Sequence, residues 1–159
     1  MHLGKIIFLF IVISIGIIFI SNQFQNQENF AVQVNNSGPH IGTSVPYDYG
    51  YDGSGIIISV IDTGVDFNHP DLEGQIIGGY DFVGNDDMPE DTNGHGTQVT
   101  GIIASNGSLK GIAPNSKILA YKVSEDGESV PSNLIIKAIE KSIEDGANII
   151  NISLGINQT

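Results

Sequence analysis

Cysteine is missing from the 159 residues, which excludes disulfides, thiolate-bound metals and a cysteine nucleophile. Positive charge is scarce: 6 lysines and arginines stand against 18 acids, a formal net charge of −12. That balance argues against non-specific nucleic-acid binding, which needs a basic footprint. It suits metal cations, basic substrates or plain solubility. No Gly-x-Gly-x-x-Gly fingerprint follows the first candidate strand, so a Rossmann cofactor site is rejected. Apolar residues make up 40% of the chain, enough for a core at a length that suits one domain.

The long hydrophobic run is at the amino terminus. Lys5 precedes Ile6 to Ile20, 15 residues interrupted only by Ser14 and Gly16, the pattern of an export signal. A small-x-small cleavage signature is absent around Phe19-Ile20-Ser21. A spanning helix needs roughly 17–25 residues, so a cleaved signal and an anchor formed with flanking residues both stay open. Lys5 stays inside in either case, and the acidic remainder is expected outside, free or membrane-anchored through 6–20. Residues 1–21 are read as signal or anchor, and 22–38, rich in Gln and Asn, as a linker. A lead-in with Pro39, Pro46 and three tyrosines ends in the turn Asp52-Gly53-Ser54-Gly55.

Ile56 to Ile61 has one serine among five aliphatics and runs into Asp62-Thr63-Gly64. Aliphatics without alternation describe a strand buried on both faces, as in a helix-covered parallel sheet. Asp62 either caps a turn or belongs to a site at the carboxyl end of the strand. Further strands are expected over 75–83, 117–123 and 148–154. A helix is expected from His95 to Ala104, and another is capped by Ser132, with Leu134, Ile135, Ala138, Ile139 and Ile143 on one face. The order predicts a right-handed βαβ series, an α/β fold with a mostly parallel sheet.

Asp62 and His95 stand 33 positions apart, one after a strand and one at a helix start. A carboxylate that accepts from imidazole Nδ1–H leaves Nε2 as a general base. With a serine hydroxyl in reach, this becomes nucleophilic acyl transfer. Taken bare, the two residues equally suit a structural pair or metal ligands. His40 and His69 suit surface positions. Asn36, Asn106, Asn151 and Asn157 sit in glycosylation sequons, with Asn151 expected to be buried.

Five short segments occur in one order: Asp62-Thr63-Gly64-Val65-Asp66, His69-Pro70-Asp71-Leu72, Asn93-Gly94-His95-Gly96-Thr97-Gln98-Val99-Thr100-Gly101, Gly111-Ile112-Ala113-Pro114 and Asn151-Ile152-Ser153-Leu154-Gly155. Together they resemble the subtilisin-like serine proteases over roughly 38–155. The resemblance implies a three-layer subtilisin-like fold, truncated after the Ser-Leu-Gly strand, with 39–159 as a partial peptidase domain. It implies Asp62 as the triad aspartate, His95 as the base, and Ser153, Leu154 and Gly155 as the wall of the specificity pocket. The loop around Gly127 would be the edge that pairs with an extended peptide substrate. Glu125, Asp126 and Glu128 beside it hint at basic residues upstream of the cut.

Two family features are absent. No Gly-Thr-Ser-x-Ala segment or oxyanion asparagine follows Gly155, and Gly42-Thr43-Ser44 precedes the aspartate. These 159 residues alone are therefore expected to be inactive, since loss of the nucleophile leaves only residual catalysis. Asp81, Asp86 and Glu90 offer hard oxygen ligands suited to calcium, in a loop similar to the calcium loop of thermitase but with Gly84 in place of an aspartate. Asp71 matches a second family calcium ligand, although the loop 105–110 looks short. The alternative is a non-catalytic peptide- or calcium-binding remnant of the fold.

Overall fold

The computed structural model of the chain describes residues 49–128 and 130–155. The apolar run 6–20, the linker 22–38 and the sequons at Asn36 and Asn157 lie outside the described residues. Among the described residues, no helix is long and apolar enough to cross a membrane.

The elements are β1 (Ile57–Asp62), a 3-10 turn (Pro70–Leu72), β2 (Ile76–Asp81), α1 (His95–Ala104), β3 (Lys117–Lys122), α2 (Ser132–Glu144) and β4 (Ile149–Ile152). The four strands form one sheet in the order β2-β3-β1-β4, and every pairing is parallel. β1 is therefore central, as its unalternated aliphatic run requires, and Ile58 to Asp62 are all buried. Strand pleating sends successive residues to opposite faces. Ile58, Val60 and Ile118 pack with Val99, Ile103 and Ala104 of α1. Ile61, Leu119 and Tyr121 pack with Ile135 and Ala138 of α2. The result is three layers, with a helix on each face of the sheet.

Two boundaries and one buried position differ from what the sequence predicts. Ser132 is the first residue of α2 and does not cap it. Pro131 is at the cap position, and its ring carries no acceptor, so the helix has no side-chain cap bond. Ile143 is 66% exposed, because the inward position on that turn belongs to Ser142. The Ser142 hydroxyl meets Ser59 Oγ at 2.6 Å and donates to the Ala138 carbonyl. β4 stops at Ile152, where Asn151 Nδ2 donates to Ser153 Oγ, so Ser153, Leu154 and Gly155 follow the strand. Asn151 is buried, as expected.

The carboxyl ends of β1, β3 and β4 come together at one rim. The register pairs Asp62 with Lys122 and Ile61 with Ile152. Asn148 fixes the other rim, since its Oδ1 accepts from Ile57 N and its N donates to Ile57 O.

Candidate active site

Asp62 is fully buried at the end of β1. Its Oδ1 accepts from Thr63 N at 2.7 Å and lies 2.7 Å from His95 Nδ1. Oδ2 is buried and has no hydrogen-bond partner among the described residues. His95 opens α1 with its side chain 18% exposed. The hydrogen bond to Asp62 lifts the imidazole above its ordinary value; burial opposes the lift, and the charges of Asp62 and Asp91 add to it.

Two glycines permit this approach. A Cβ on Gly96 would lie 2.2 Å from the Gly64 carbonyl oxygen and 3.2 Å from Asp62 Cβ. Gly64 has φ 110°, and a Cβ there would lie 2.6 Å from the Pro89 oxygen. The bare backbones thus let the first turn of α1 press on the 62–64 turn, while Pro89 runs beneath it. Val65 N donates to Pro89 O, and Asp91 N donates to Val65 O.

Two important residues were not singled out from the sequence. Asp91 accepts from Thr63 Oγ1, Asn93 N and Gly94 N on Oδ1, and from Thr97 N and Thr97 Oγ1 on Oδ2. Thr97 is in the first turn of α1, so the carboxylate caps the helix at the positive end of its dipole. Burial pushes the Asp91 carboxyl up, but the bonds from Thr97, Gly94 and Thr63 outweigh it and hold the group low. Thr63 is the link, donating to Asp91 and accepting from Gly96 N at 2.9 Å. The available signal was an aspartate four positions before a histidine that starts a helix.

The residues named as substrate-binding also gather at this rim. A Cβ on Gly127 would meet Thr63 Cγ2 at 3.4 Å and Leu154 Cδ2 at 3.9 Å, and one on Gly155 would meet the Glu128 oxygen at 3.8 Å. Segments 127–128 and 154–155 therefore face each other beside the Asp62 turn. Ser153 is turned toward Asn151.

The proposed calcium ligands come together only in part. Asp81 Oδ1 accepts from Val83 N and Gly84 N. Asp81 Oδ2 and Asp86 Oδ2 lie 3.0 and 3.1 Å from where a Gly84 Cβ would stand. Among the described residues, no group of three His, Asp or Glu is arranged to hold a metal, so Glu90 does not complete the pair. Two carboxylates are a partial donor set, since calcium takes six to eight oxygens drawn also from carbonyls and waters. Asp71 is taken up by Ser108, whose N and Oγ donate to Oδ1 at 2.7 and 3.0 Å. His69 Nδ1 accepts from Asp71 N and caps the 3-10 turn.

A helix-covered parallel sheet that brings a carboxylate–imidazole pair to the carboxyl ends of its strands defines an α/β domain with its site where such sheets bind ligands. The chain belongs to the subtilase family, whose model matches residues 53–159. It is 42% identical over 142 residues to the minor extracellular protease Vpr of Bacillus subtilis (strain 168), covering 82% of this chain and 18% of that protein. It is 44% identical over 108 residues to thermitase of Thermoactinomyces vulgaris, covering 65% and 39%. Among solved structures it resembles fervidolysin from Fervidobacterium pennivorans, a keratinolytic enzyme related to subtilisin. The TM-score is 0.56 at 32% identity, with 66% of this chain and 18% of that one covered. The chain thus spans well under half the length of these relatives.

Proposed function

We propose that the chain supplies the Asp–His part of a serine-type endopeptidase acting on peptides or proteins. The observation that carries this reading is the 2.7 Å contact between Asp62 Oδ1 and His95 Nδ1 at the rim where the carboxyl ends of β1, β3 and β4 meet. With Nδ1–H donated to Asp62, His95 Nε2 carries a free lone pair. It takes the proton of a serine hydroxyl supplied by a further part of the domain as that oxygen bonds to the scissile carbonyl carbon. Asp62 stabilises the resulting imidazolium, which then returns the proton to the leaving amine. An extended peptide lies between 127–128 and 154–155, pairing through its backbone. Export is supported by Lys5 with its apolar run and by the name of the extracellular relative.

The test is a chimera joining residues 39–155 to the downstream part of thermitase. It is expected to cleave casein, and His95→Ala is expected to lower kcat by about 10⁴-fold or more. Activity that survives His95→Ala would overturn the assignment. The 159 residues alone are expected to take no label from a serine-reactive fluorophosphonate. For substrate preference, Glu125 and Asp126 serve the loop itself, accepting from Lys122 and Thr92 and from Ser124 and Glu128 N. The preference for basic residues upstream of the cut then falls on exposed Glu128. Equal cleavage of lysine and glutamate peptides by the chimera would dispose of it.

The second reading, a calcium-binding role without chemistry, is favoured only by the two carboxylates over Gly84. With that donor set, millimolar calcium is expected to leave the melting temperature unchanged. Gly84→Asp adds a third carboxylate and is expected to make melting calcium-dependent.

A further inference from the structure

β3 ends in a cation that the proposed chemistry does not use. Lys122 is 3% exposed, and a lysine goes this far under the surface only when its charge is met. Its Cα pairs with Asp62 on one side and Asp81 on the other. Nζ donates to the Glu90 carbonyl at 3.0 Å and pairs with Glu125 Oε2 at 3.0 Å. The same Glu125 oxygen accepts from Thr92 Oγ1 at 3.0 Å, and Asn93 Nδ2 donates to the Asp126 carbonyl at 3.2 Å.

These contacts join two segments with different duties. Residues 90–93 lead directly into His95 and include Asp91, which caps α1. Residues 124–128 hold Gly127 against Thr63 and Leu154. We propose that Lys122 is a positioning residue, a buried ammonium that fixes the substrate-edge loop 124–128 relative to the segment presenting His95. Calling that loop the substrate edge rests on the peptidase reading; the linkage itself does not.

An exposed lysine–glutamate pair at this spacing is worth little, and Glu125 is 57% exposed. The difference lies at the lysine end. There the ammonium is buried and bonds a carbonyl of one segment and a carboxylate of the other. The Lys122 bond, then the Thr92 bond, hold the Glu125 carboxyl below its ordinary range. A methionine of similar length would leave the Glu90 oxygen without its donor and Glu125 without its counter-charge.

The test uses the full 159-residue chain and needs no catalysis, so it is decided separately from the chimera that judges the peptidase reading. Hydrogen exchange is followed at the amides of Gly127 and Glu128, which are bonded to Ser124 Oγ and Asp126 Oδ1. The His95 ring resonances are recorded alongside. Lys122→Met is expected to speed exchange at both amides about tenfold and to move the His95 Nδ1 proton resonance. Lys122→Arg, which keeps the charge, is expected to restore part of both. Thr92→Val and Glu125→Gln alter exposed residues, so they carry the test if Lys122→Met does not fold. Thr92→Val leaves every charge in place and is still expected to move the His95 resonance. Unchanged exchange in the folded variants would overturn the proposal. So would faster exchange with an unmoved His95 resonance, which would make Lys122 a local loop anchor.

Discussion

His95 starts from an ordinary value near 6.5 and is held above it, chiefly by the Asp62 hydrogen bond. The protonated pair therefore stabilises the fold fully below about pH 6.5. That contribution is lost as pH rises through the higher folded value. The melting temperature of the native chain relative to His95→Gln is expected to fall across that window; a difference flat from pH 6 to 9 would contradict the assignment. Asp91 has the opposite sign. Its carboxyl is held below 3.8, so its contribution is complete above that pH and fades as pH drops through the lower folded value. Asp91→Ala leaves the donors of Thr63, Asn93, Gly94 and Thr97 without their acceptor. It is expected to cost about 2–3 kcal/mol in urea unfolding and to weaken the Nδ1–H bond of His95.

At the scale of elements, α2 separates what periodicity can reveal from what it cannot. The apolar positions identified a helix with an inward face, and Ile135 and Ala138 occupy it. Ile143 continued that spacing but points outward, because the Ser59–Ser142 hydroxyl pair takes the inward place. Ile135→Ala is expected to destabilise by about 3 kcal/mol and Ile143→Gln by no more than about 0.5 kcal/mol, read by chemical denaturation. The strands were more legible. β1 and β3 are buried on both faces, and their aliphatic runs located each to within one residue of its ends. β2 spans only Ile76–Asp81 of the expected 75–83, and it contains a register shift between Ile76 and Gly78, with Ile77 51% exposed.

Across the whole molecule, β2 and β4 are the outer strands among the described residues, and β4 carries Ile149, Ile150 and Ile152 only half-buried. An outer strand with unpaired backbone groups and apolar side chains is a template for pairing with another chain. The 159-residue chain is expected to associate as concentration rises, with slower hydrogen exchange at β4 amides; sedimentation velocity checks this. A sedimentation coefficient independent of concentration would show that the edge is protected.

The sequence by itself determined the layers of the sheet, the family, and the candidate pair Asp62 and His95, which the fold brings into contact. Burial on both faces leaves an unbroken aliphatic run, and residues at strand ends and helix starts stand next to short glycine-bearing motifs. The tertiary structure alone decided that Asp91 caps α1, that Thr63 links it to Gly96, and that Lys122 stands buried between two loops. Each of those roles consists of hydrogen bonds or ion pairs between separate segments. A polar residue in a loop has the same local sequence appearance whether it meets water or a distant partner, so only folding distinguishes them.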